Sequence, residues 1–251
     1  MKRSKTMILH SKWAGLRAGG FALLVVSCAL LASSGRTHRS SSEIGIDEET
    51  AIATLRTIAA AERAVRASGT IDTNCDRVGE YAYLAELAGT QPKRVCNQGI
   101  PAAGNTFTDR IARPLLRPEL GTIMQSSAGL SGYRFEMWLP GPTRAGQVAG
   151  VREDSLGGKL AAPFPDSRNG AGLWCCYAWP VEVGTTGNRA FVVDREGIVL
   201  QCSNDSPKPF SGFTYVPQFG EAFVDDQDMS SGLRIGTTGG ENHTIWTRVG
   251  E

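Results

Sequence analysis

The residues best able to do chemistry in this chain are six cysteines: Cys28, Cys75, Cys96, Cys175, Cys176 and Cys202. No two of them have C-x-x-C spacing. Of three histidines, His10 and His38 precede the body and only His243 lies within it. A zinc site built on Cys and His is therefore not expected. Structural pairing is the simpler use of the thiols. Cys75 and Cys96 flank a short segment poor in apolar residues, with 20 residues between them. Closing that loop is worth about 3 kcal/mol in the chain-entropy model, so a Cys75–Cys96 disulfide is expected. Cys175 and Cys176 point to opposite faces of a strand, so only one can face Cys202. A Cys176–Cys202 bridge is the second expectation, although a simple meander register sets Cys202 beside Arg189 instead.

Other patterns were weighed for chemistry. Asp72, Asn74 and Asp76 alternate like the ligands of a calcium loop, but Arg77 stands where the loop glycine belongs and Tyr83 where the bidentate acid belongs. A polar turn is the simpler reading, and no metal or cofactor is expected. A Ser/His/Asp triad would have to use His243. "GLSGY" (Gly129 to Tyr133) departs from the G-x-S-x-G elbow at its last position. Asp225, Asp226 and Asp228 belong to an acidic, solvated run. No catalytic constellation emerges, and an enzyme is not expected. Trp138, Trp174 and Trp179, beside Tyr177, are the residues that could present an aromatic face to a carbohydrate or peptide; the competing use is the core of a small sheet.

Composition places these residues in a loop-rich α+β body. The 251 residues carry Lys+Arg 26 against Asp+Glu 25, a net charge of +1, which gives no field that would gather nucleic acid. Gly 30 and Pro 12 demand many turns. The clearest element is a helix over about Asp47 to Ala67: Ile52, Leu55, Ile58, Ala59, Glu62 and Val65 make one stripe, apolar but for Glu62; acids lead, Arg63 and Arg66 trail, and Gly69 follows. A short helix is expected over Tyr81 to Ala88. Residues 91–130 read as an insertion. Strands are expected at Tyr133–Leu139, Cys176–Val183, Arg189–Asp194 and Ile198–Cys202, the last two joined by a tight "DREG" hairpin. The 205–251 tail is poor in pattern apart from "HTIWTRV", a candidate last strand.

The N-terminus reads as a targeting segment. Basic residues precede "FALLVVSCALLA" (Phe21 to Ala32), and Ala18 to Gly35 is free of charge. Residues 1–35 are the signal or anchor, residues 36–45 a Ser-rich tether, and residues 46–251 the exported body. Residues up to Ser42 are expected to add nothing to the fold.

Several pieces together resemble the bacterial type IV pilins and type II secretion pseudopilins. They are "AIATLRTIAAAERAVRA", "YAYLAELAG", "GYRFEMW" and "YAWPVEVGTTGNRAFVVDREGIVLQ". The resemblance implies a helix lying along an antiparallel sheet, fed by an apolar membrane segment, and a non-enzymatic role in assembly or protein contact. It also implies envelope, pilus or secretion proteins as partners. Gly20-Phe21 has the form of a prepilin cut. The family's acid is replaced by Val25, and Gly35, Ser40 to Ser42 and Gly45 interrupt the run where the family's helix continues. "VVSC" equally has the form of a lipobox with Cys28 as the lipidated residue, and an ordinary cut near Ala32 also fits. All three routes export the body, to an inner-membrane-anchored, lipid-anchored or periplasmic location. The alternative function is a membrane-tethered lipoprotein that binds carbohydrate or peptide through its surface aromatics.

Overall fold

The computed structural model describes residues 40–250. Gly20, Phe21 and Cys28 lie outside the described residues. The body is a mixed α+β structure in which a long helix covers one face of an antiparallel sheet.

Helix α1 runs Ser41–Ser68. Ser40 is extended and caps it: its hydroxyl accepts from the Glu43 amide while the Glu43 carboxylate takes the Ser40 amide. This reciprocal pair satisfies two amides that would otherwise lack partners, and it sets the start of the helix. Gly69, left-handed at φ 63°, ends it. The helix thus begins six residues before the expected Asp47. Part of the expected tether is ordered, and Ser40 contributes to the fold after all. Alternation of apolar and polar residues cannot report a first turn stabilised by caps instead of packing.

Beyond α1 come α2 (Leu84–Leu87), hairpin β1 (Val95–Asn97) and β2 (Ile100–Ala102), and then β3 (Ile123–Met124), β4 (Ser127–Leu130), β5 (Tyr133–Pro140) and β6 (Gly150–Arg152). Helix α3 (Ser167–Gly170) precedes β7 (Cys175–Pro180), β8 (Ala190–Asp194) and β9 (Leu200–Cys202). Short β10 (Thr238–Gly239), β11 (Thr244–Ile245) and β12 (Thr247–Arg248) close the chain. The main sheet has the order β12-β9-β8-β7-β5-β4-β3, with β6 on the far half of β5. Every pairing in it is antiparallel. Ser131 and Gly132, both at positive φ, form the two-residue turn between Leu130 and Tyr133. "GLSGY" is therefore a hairpin. A side chain at Gly132 would also meet the Asp47 carboxylate at 2.8 Å.

The 91–130 stretch is more than an insertion, since β3 and β4 extend the main sheet. Strands of two to four residues rich in Ser, Gly and Ala are too short to show alternation. The expected Tyr81–Ala88 helix shrinks to Leu84–Leu87, because Tyr83 is extended.

Both faces of the sheet are buried. Tyr133, Phe135, Met137 and Leu139 from β5, Cys176 and Ala178 from β7, and Phe191 and Val193 from β8 pack under Ile52, Leu55, Ile58 and Val65 of α1. Trp138, Cys175, Tyr177, Trp179, Val192 and Cys202 face the other way and are covered by Phe210, Phe223, Met229 and Trp246 of the irregular tail. Aromatic polar atoms anchor that cover. The Tyr177 hydroxyl donates to the Phe219 carbonyl and accepts from the Ala222 amide, and Trp179 Nε1 donates to the Gly212 carbonyl.

The stripe on α1 can be tested directly. Replacing the fully buried Leu55 with Asp leaves an unpaired charge under the sheet, which costs several kcal/mol. The variant is expected to lose cooperative thermal unfolding; a melt matching the parent's would contradict this packing.

Candidate functional site

The segment from Asp72 to Asn97 is built by side chains accepting its own amides. Asp72 accepts from the amides of Asp76 and Arg77, Asn74 accepts from Asp76, and Asp76 accepts from Val78. This lets Cys75 and Arg77 sit at positive φ, at 60° and 69°. The calcium-loop-like residues Asp72, Asn74 and Asp76 thus use their oxygens on local amides, as a polar turn does. Among the described residues, no cluster of three or more His, Cys, Asp or Glu is placed to hold a metal.

The turn presents Cys75 to Cys96 on β1, and the two form a disulfide with Cα atoms 5.8 Å apart. Gln98 and Gly99, both at positive φ, make the tight turn into β2. The β1–β2 hairpin and Asn74 form one wall of an open groove of about 480 Å³. The other wall is Pro142 with Phe164 to Arg168. Its lining is mixed: Ile100, Pro101, Pro142 and Phe164 stand beside Asn74, Asp166 and Ser167, and the exposed Arg168 supplies a positive charge. Asp166 caps α3 by accepting from the Asn169 amide.

Behind the groove lies a buried cage of ionisable groups. Glu62 of α1 accepts from the Ala82 amide at 2.9 Å. Glu86 takes the amides of Tyr83 and Arg94. Glu153, just after β6, takes those of Ala85 and Gly158. Glu80 accepts from both the amide and the hydroxyl of Thr73. Arg94 sits among them, with Nε 3.1 Å from Glu86, Nη1 3.6 Å from Glu80 and Nη2 donating to the Tyr81 carbonyl. Its guanidinium also lies 5.3 Å from the Tyr83 ring centre.

Burial dominates the electrostatics. It pushes the Glu62 carboxyl well above the ordinary range, against the Ala82 amide and Arg94, which pull it down. Burial likewise raises Glu153 to about 8, and it raises Glu80 despite Arg94 and Thr73. Arg94 stays charged: burial pulls it down, but Glu86 chiefly holds it above its usual value.

The remaining candidates do not assemble. Cys176 pairs with Val193 and faces α1, whereas Cys202 pairs with Ala190 and faces the tail. The expected Cys176–Cys202 bridge is therefore absent, and both are free buried thiols, as is Cys175. Burial raises all three, Cys202 to about 12, which keeps them protonated and unreactive. Trp138, Trp174 and Trp179 are 0–4% exposed, so they form core and offer no ligand face. Trp138 and Trp179 lie under the tail, which nothing in their strands announces, and Trp174 meets Tyr81 in the helix-side core. Asp228 caps its own turn and also accepts from the Val148 amide. Of the cage residues only Glu62 carries a sequence signal, an acid on the apolar stripe of α1; Glu80, Glu86, Arg94 and Glu153 read as ordinary surface charges.

Searches of family models, curated proteins and solved structures find no match to this chain.

The cysteine assignment predicts a mapping result. Without reduction, Cys75 and Cys96 are expected to resist alkylation even in denaturant, while Cys175, Cys176 and Cys202 react only once the protein is unfolded. Replacing Cys75 and Cys96 together with Ser is expected to lower stability by about 3 kcal/mol in denaturant melts.

Proposed function

We propose that this is a non-enzymatic, exported cell-envelope protein of pseudopilin-like build that acts by assembly or protein contact. One observation carries the proposal. Helix α1 packs along the sheet with one side, while its other side stays open through the N-terminal half. Ile46 is 65% exposed, and Ala53 and Thr57 continue the open strip. Cavities of about 570 and 250 Å³ flank it at Thr50 and Ala53, one reaching Arg189 and the other Leu115, Leu116 and Leu120. A strip of this form suits contact with another helix.

The Ser40 capping box gives α1 a start of its own. No helix among the described residues is long and apolar enough to cross a membrane. In this reading the apolar leader is the anchor. Partners would be membrane, through that segment, and other envelope or secretion proteins. A ligand-binding role would use the groove beside β2, since the tryptophans once available to it are interior.

Expression of the full chain in a bacterial host tests both parts. The body is expected to resist protease in intact cells, to be digested in spheroplasts and to sediment with membranes. Intact mass then reports a cut after Gly20, lipid on Cys28 or a cut near Ala32. An unprocessed, cytosolic chain would refute export. For the contact strip, Ala53→Cys is expected to give cross-linked species with a bifunctional maleimide, and Lys208→Cys on the tail side is not. Equal cross-linking at the two positions would remove α1 as the contact.

A further inference from the structure

The cage holds more negative than positive groups, and every one of them is tied to backbone. Glu62, Glu80, Glu86 and Glu153 converge on the segment from Thr73 to Arg94 from three directions: α1, the segment itself and the turn after β6. The only guanidinium among them, Arg94, is already shared between Glu86 and Glu80. One oxygen each of Glu62, Glu80 and Glu153 is buried with no hydrogen-bond partner. A buried carboxylate without a counter-ion is costly, so Glu62 and Glu153 sit in the closed cage as neutral acids. The other titratable groups facing them do not relieve this. Tyr83 and Cys176 are neutral; Glu136 on β5 adds a further acid whose cation, Arg152, lies 3.6 Å from it, and Lys159 is engaged by Asp154, so neither cation is free for Glu62 or Glu153.

The cage is wired to the groove. Glu80 holds the Thr73 amide and hydroxyl, and the Thr73 hydroxyl lies 2.6 Å from that of Ser167. Ser167 lines one wall of the groove, and Asn74, next to Thr73, lines the other.

We propose that Glu62, Glu80, Glu86, Glu153 and Arg94 form a proton-operated latch that clamps the disulfide-stapled segment to the body at acidic pH, releases it as pH rises, and so sets the width of the groove. Loss of the Glu62 and Glu153 protons to solvent leaves anions that Arg94 cannot neutralise. The closed cage then yields to an opened, hydrated one. The direction follows from linkage. The closed state holds these protons to a higher pH than the opened state, in which the carboxyls return to their ordinary range near 4.5. Closure is therefore fully favoured below that range and is lost progressively toward about pH 8, where Glu153 titrates in the closed form. The latch does not depend on the assembly proposal, because it is read from the purified full chain alone.

Amide hydrogen exchange on the full chain, normalised for the intrinsic pH dependence of exchange, is the test. The amides of Thr73, Ala82, Ala85 and Gly158 are expected to lose at least about tenfold protection between about pH 6 and about pH 8, as release of one proton or more dictates. Amides of β7 and β8 should hold theirs. Glu153→Gln keeps the acceptor and removes one of the two titrations, so it is expected to make the profile shallower, and Glu62→Gln should do the same. Protection that is independent of pH, that falls equally in β7 and β8, or that keeps its parental slope in Glu153→Gln would overturn the latch. The parental profile needs no variant, so a folding failure of Glu62→Gln leaves the test decisive.

Discussion

Arg94 is buried, with its guanidinium shared by Glu86, Glu80 and the Tyr81 carbonyl, and the loop-rich half of the body is organised around it. The segment it anchors has little regular structure, so its amides cannot find partners in a helix or sheet. Buried amides need acceptors, and here carboxylates provide them. Those carboxylates in turn need either a counter-ion or a proton. Arg94 supplies the first for Glu86 and Glu80. Burial enforces the second on Glu62 and Glu153. Removing Arg94 would leave anions uncompensated in the interior, which is more damaging than losing the pair as a whole.

The cage also joins two parts that would otherwise be independent. Glu62 projects from the middle of α1, whose apolar stripe belongs to the sheet. Glu153 follows directly on β6, which pairs with the far end of β5. The stapled segment is therefore fixed to both layers by polar bonds, and the disulfide limits its own freedom in the absence of a local core. Polar attachment responds to protonation, whereas apolar packing does not. The groove is thus built at a boundary held by polar, titratable groups.

The sheet is a different case. Its inner strands are buried on both sides, by α1 on one face and by the irregular tail on the other. The tail achieves this with few strands of its own, using Phe210, Phe223, Met229 and Trp246 as apolar cover and the Tyr177 hydroxyl and Trp179 ring nitrogen as fixed attachment points. With both faces occupied, the sheet itself offers no contact surface, and the proposed activities are placed on the outer side of α1 and in the groove.

Whatever depended on neighbouring residues was legible in the sequence. The period of Ile52, Leu55, Ile58 and Val65 determined α1, and Gly69 its end, because both act within a turn of helix. Alternation in β5 and the short run of β8 located those strands to within a residue, while β7 ends three residues before the expected Val183. The spacing of Cys75 and Cys96 made a staple that restricts the unfolded chain an expectation of the sequence. Only the tertiary structure decided the rest. Whether Cys176 can reach Cys202 depends on which face each occupies after strand pairing, and register across three strands is a non-local quantity. The burial of Trp138 and Trp179 depends on a tail with no pattern of its own, and that of Trp174 on the core it shares with Tyr81. The site is the least legible part of all. Glu62, Glu80, Glu86, Arg94 and Glu153 are scattered over some ninety residues; only Glu62 stands out, as the acid on an apolar stripe, and their chemistry arises from the desolvation that folding imposes when it brings them together.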